Sequence, residues 1–155
     1  MKLNAEVRGG NKIAQKLQQI QDRVMAKRRV LVGLPAGSGN SEDGTPLVVI
    51  GAVNEFGSAD GRIPERSFLR VPIRQNQDNI KKSFRALTGA VARGEITALQ
   101  MLEQIGARAA GYCKEAIEQG IEPANAPSTI RQKGSAKPLD NHGTLKGAIT
   151  HVVED

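Results

Sequence analysis

Aromatic residues are scarce in this chain: three Phe and one Tyr among 155 residues, and no Trp. Aromatic side chains supply the largest buried areas in most cores, so the interior must be built from small aliphatics. With less apolar area to hide, part of the surface is expected to be buried against partner subunits. Cys113 is the single cysteine, which excludes an intramolecular disulfide and an all-cysteine zinc site and suits a reducing compartment. No apolar run is long enough for a membrane span, and the N-terminus lacks the apolar core of a signal peptide. A soluble protein made in the cytoplasm is expected.

What the chain has in excess is positive charge. A formal charge of +6 and a pI near 9.8 favour an acidic partner, either nucleic acid or an acidic protein surface. The same excess serves solubility alone.

Local patterning predicts an α+β domain with a small, mainly antiparallel sheet packed by about four helices and carrying long flexible loops. Leu3, Ala5 and Val7 alternate with polar residues over 2–8, the pattern of a half-buried strand. After Gly9-Gly10, Asn11 can cap a helix striped with Ile13, Leu17, Ile20 and Val24. Residues 28–34 read as a second strand and 35–45 as a mobile Gly-rich loop. Thr45 and Pro46 suit the start of a helix over 47–56 that Gly57 ends. Pro72 is positioned to open a helix with Ile73, Ile80, Phe84, Leu87 and Val91 on one face, ended at Arg93-Gly94. A further helix is predicted over about 95–119. Residues 120–138, with three prolines and two glycines, read as an irregular arm. A helical turn at 143–147 and a terminal strand over 148–154 complete one domain spanning 1–155.

Candidate chemistry is thin. The segment 33–41, GLPAGSGNS, follows a strand as a phosphate loop would, but Leu34 stands where the first glycine belongs and Asn40 where the lysine belongs. His151 shares strand parity with Ile149 and Val153, which reads as a half-buried structural histidine, and His142 lies in a turn without metal-ligand spacing around it. Cys113 falls on the apolar face of its helix, where a thiol is unreactive. Arg62, Arg66, Arg70 and Arg74 recur every four residues and would form a cationic stripe on one helix, but Pro64 and Pro72 interrupt it. No catalytic set, cofactor or metal is expected.

Four pieces of sequence carry a resemblance: Asn54-Glu55-Phe56-Gly57, then IPERSFLR at 63–70, NAPSTIRQKGSAKPL at 125–139, and GTLKGAI at 143–149. In this order and spacing, over roughly residues 28–153, the chain resembles the tail-completion or neck (head–tail joining) proteins of long-tailed bacteriophages and prophages. Where relatives tend to read Asp-Thr-Gly, this chain has Asn141-His142-Gly143, a departure that touches a local cap. The resemblance implies a non-enzymatic virion structural protein, a subunit of a homo-oligomeric ring that contacts other tail and neck proteins, first in the host bacterial cytoplasm and then in the virion. Non-specific DNA contact in the channel is compatible with it. The alternative is a basic DNA-binding module.

On that reading the subunit interface is expected at Glu55, Phe56, Gly57, Pro64, Glu65, Arg66, Phe68 and Arg70 in the loop. In the arm it is expected at Pro127, Ser128, Thr129, Lys133, Gly134 and Pro138. Phe68 and Leu69 are expected to anchor the loop on the core, while Arg66 and Arg70 project towards a neighbour, where the planar guanidinium pairs well with carboxylates. The arm is expected to be laid along a partner and to order on assembly.

Overall fold

The computed structural model describes residues 10–24, 28–133, 138–139 and 143–154. The strand expected over 2–8 lies outside the described residues. Among the described residues the fold is α+β: seven helices and a two-stranded antiparallel sheet. The sheet pairs β1 (Arg29–Gly33) with β2 (Thr150–Glu154), and places Val30 opposite Val153, Leu31 opposite Val152 and Val32 opposite His151. Period-two alternation decides its two faces. Val30, Val32, His151 and Val153 are half-buried on the inner face, whereas Leu31 and Val152 are exposed on the outer one. An Arg29–Glu154 ion pair of 2.8 Å joins the two strand ends.

The scaffold beneath the sheet is a pair of consecutive helices, α4 (Gln77–Arg93) and α5 (Ala98–Gln119). Gly94 ends α4 in the left-handed conformation (φ 78°), its N–H bonded to the Ala90 and Val91 carbonyls. The next helix begins at Ala98, three residues later than expected, because Thr97 and Gln100 form a reciprocal capping box at its start. That Thr-x-x-Gln signal is legible in the sequence. The buried stripe of α5, from Met101 to Ile117, serves two cores. One joins Met101, Leu102 and Ile105 to Val91. The other joins Ala110, Cys113 and Ile117 to Leu47, Phe68, Leu145 and Ile149. Burial, followed by the field of Glu55, pushes the Cys113 thiol up to about 11, so it packs as a small hydrophobe.

Gly106 lets the sheet sit directly on α5. A Cβ there would lie 2.5 Å from His151 Cδ2 and 2.6 Å from Val30 Cγ2. Gly106→Ala is therefore expected to cost about 2 kcal/mol by overpacking, read by urea denaturation. Gly51→Ala, whose Cβ would meet only the tip of Leu34 and then Phe68, is expected to cost clearly less. Equal losses would show that the sheet, like the Leu34 tip, yields freely.

The remaining helices surround this scaffold. α1 (Gly10–Val24) packs against α4, yet Ile13 and Leu17 of its apolar stripe are each 62% exposed. α2 (Leu47–Phe56) follows Pro46, which is its N-cap, and no side chain caps it; Thr45 does not take that role. α3 (Arg70–Gln75) begins two residues before Pro72, which sits in the first turn where its missing N–H costs nothing. Asn76 breaks the chain between α3 and α4, so the single helix expected from Pro72 is two. α6 (Pro127–Lys133) is a helix inside the stretch expected to be irregular, with Pro127 as its first residue. α7 (Thr144–Ala148) supplies the expected turn and buries Leu145.

Candidate docking site around the loop from Asn54 to Arg70

α2 is apolar on nearly every side, and its two stripes have different fates. Leu47, Gly51 and Glu55 are buried, whereas Val48, Ala52 and Phe56, also four residues apart, are exposed. A helix apolar all round is normally enclosed, so the outer stripe is a surface awaiting cover. This signal was present in the sequence and points to Val48 and Ala52, which the motif alone did not.

The loop that follows is compact. Gly57 ends α2 as expected, with φ 79° and ψ 165°, a positive-φ extended geometry and not the left-handed helical one. A Cβ at Gly57 would lie 3.2 Å from both Glu65 N and Ile63 O, so the returning chain passes against it. The Ser58 N–H donates to Ile63 O at 2.9 Å. The Asp60 carboxylate accepts from the Ser58 hydroxyl at 2.6 Å and from the Arg62 N–H at 3.1 Å. These two bonds hold Asp60 below the usual carboxylate range.

Glu55 is the centre of the arrangement. Its side chain is buried and accepts from the Ser67 hydroxyl at 2.7 Å, the Leu69 N–H at 2.9 Å, and the Arg70 N–H and Nε at 3.1 and 2.8 Å. Burial penalises the charged form, but the bonds from Ser67, Leu69 and Arg70 outweigh it, and the carboxyl stays below its ordinary value. The carboxylate thus caps the start of α3 from a different helix. Arg70 also donates to the Glu55 carbonyl and to Glu65, at 2.9 and 2.8 Å, and its guanidinium lies 4.6 Å from the Phe56 ring centre.

Several expected docking residues are committed within the chain. Arg66 does not project outward: it is 7% exposed and donates to the carbonyls of Pro123 and Ala124 at 2.7 and 3.1 Å. Phe68 is fully buried, as the anchoring role requires. Glu55 accepts from its own loop. Pro138 is buried too, so the arm is tied to the body at Arg66 and again at Pro138, contrary to an arm laid wholly along a partner. The outward group consists of Phe56, Pro64, Glu65 and half-exposed Arg70, with Pro127 exposed and Thr129 half-buried in the arm. The side chains of Ser128 and Lys133 and all of Gly134 lie outside the described residues. The four arginines do not share a helix: Arg62 and Arg66 are in the loop, and only Arg70 and Arg74 are in α3.

Beside this loop runs an open cleft of about 650 Å³, lined by Val32 of β1 and Leu34 just after it, Val48, Ala52 and Phe56 of α2, and Leu69, Ile73 and Arg74 around α3. Its walls are mostly aliphatic. Elsewhere, His151 contacts Glu103 at 2.7 Å and is half-buried, a structural placement. Among the described residues no group of three metal-ligating side chains converges, and no helix is long and apolar enough to cross a membrane. Comparison with models of known families, with curated proteins and with solved structures found no match for this chain.

Proposed function

We propose that this chain is a non-enzymatic structural subunit of a bacteriophage or prophage virion, acting in tail completion or head–tail joining and assembling as a ring. One observation carries the reading: the four separated pieces that bear the resemblance close on one another. Glu55 of the first holds Ser67, Leu69 and Arg70 of the second. Arg66 of the second holds the carbonyls just before the third. Leu145 and Ile149 of the fourth share a core with Phe68, and Leu139 packs against it. The motif residues thus build one rigid unit, with Phe56 and the aliphatic cleft left outside for a neighbour.

The subunit assembles in the host cytoplasm and remains in the particle, with other tail and neck proteins as its partners. Light scattering of the purified protein, alone and with those neighbours, is expected to show a closed oligomer. Mass spectrometry of purified particles is expected to find the chain. A monomer under all conditions, or particles lacking the chain, overturns the proposal. Duplex-DNA titration separates the basic-module alternative: tight binding that weakens steeply with salt would favour it, because counterion release drives such binding.

A further inference from the structure

The sheet is narrower than the helical layer it lies on. Two strands spaced ~4.8 Å apart cover roughly 10 Å, whereas two packed helices spaced ~9 Å apart present roughly twice that width. Both strands lie on α5, while Phe84 on α4 is 44% exposed. Among the described residues β1 pairs with β2 alone, and no further strand, proline or bulge occupies its other edge there. Val32 on the inner face of β1 and Leu34 just after the strand line one wall of the aliphatic cleft. An open edge beside an apolar groove is the geometry that accepts an added strand.

We propose that the groove takes residues 2–8 of a second copy of this chain as an added strand on β1, so that each ring subunit is completed by its neighbour. This rests on the ring-subunit reading above. Residues 2–8 alternate, with Leu3, Ala5 and Val7 suited to the groove and Lys2, Asn4, Glu6 and Arg8 to solvent. A second copy is favoured over the same chain because α1, which follows directly, is poorly anchored at home: Ile13 and Leu17 are each 62% exposed. A head-to-tail contact of this kind, groove to strand, propagates around a ring when its rotation closes.

The test compares the full chain with Leu3→Asp/Val7→Asp by light scattering, with circular dichroism confirming that both fold. The wild type is expected to be oligomeric and the variant monomeric. In parallel, isotope-labelled chain carrying a photo-crosslinker at position 4 is mixed with unlabelled chain, and crosslinked peptides are sequenced. Crosslinks from the labelled segment to unlabelled peptides of β1, α2 or α3 support strand exchange. Crosslinks confined to labelled peptides mean that the segment folds back on its own chain and overturn the inference. An oligomer unchanged by the double substitution also overturns it, while leaving the ring reading intact. Failure of the wild type to associate at any concentration, even with its tail and neck neighbours, overturns both.

Discussion

Phe68→Ala is expected to lower the unfolding free energy by about 4 kcal/mol, within the range of ~3–5 kcal/mol for truncating a buried aromatic. Phe68 is fully buried and lies in the core shared by α2, α5 and α7. The chain has few aromatics to compensate, with three Phe in all, and Phe56 and Phe84 are exposed. The cavity would open between α5 and the loop, where Leu47, Cys113, Leu145 and Ile149 are too small to fill it. Urea denaturation measures the loss directly. Phe68→Leu should recover much of it, because volume is partly kept. A loss below ~1 kcal/mol for the alanine variant would mean that the loop collapses into the space and that Phe68 is no anchor.

Glu55→Gln is expected to cost about 3 kcal/mol, since removing one partner of a buried, hydrogen-bonded charge leaves its donors unmatched. The Ser67 hydroxyl, the Leu69 and Arg70 N–H groups and the Arg70 guanidinium all converge on this carboxylate, and an amide keeps one acceptor oxygen. The pH dependence follows from the direction of the shift. The folded-state carboxyl sits below its ordinary value of 4.5, so the unfolded chain takes up a proton first as pH falls. The stabilisation from Glu55 is complete above about 4.5 and is lost as pH drops through the lower folded-state value. Wild-type stability should therefore fall in acid more steeply than that of Glu55→Gln. Asp43, Asp60 and Glu95 are held low as well, and they remain in both proteins, so the difference between the two curves isolates Glu55. Parallel curves would exclude it as the acid-sensitive latch.

These two residues also separate a latch from a docking element. Phe56→Ser, on a ring 65% exposed, is expected to change unfolding free energy by under ~1 kcal/mol while weakening self-association in light scattering. If stability falls as far as in Phe68→Ala and association is untouched, the exposed ring belongs to its own fold and not to a neighbour.

Periodicity alone determined much of this protein. The short apolar run in 28–34 and the alternation in 148–154 specified two strands, apolar stripes specified the helices that became α1, α4 and α5, and the Thr45-Pro46 and Gly57 signals bounded α2. Parity placed His151 inward and the helical stripe placed Cys113 in the core, because side-chain direction repeats every two residues in a strand and every 3.6 in a helix. The same short-range rules failed where the partner was distant in sequence. Arg66 and Arg70 share parity in extended chain, which suggested that both face outward. The tertiary structure instead turned Arg66 onto the carbonyls of Pro123 and Ala124, 57 and 58 residues away. Likewise Glu55, an ordinary charged residue at the end of a helix, became a buried cap because α3 begins against it. Burial of a charge depends on donors brought from elsewhere, and no local pattern encodes their arrival. The open cleft is tertiary for the same reason: it exists only where the edge of β1, the outer stripe of α2 and the start of α3 meet.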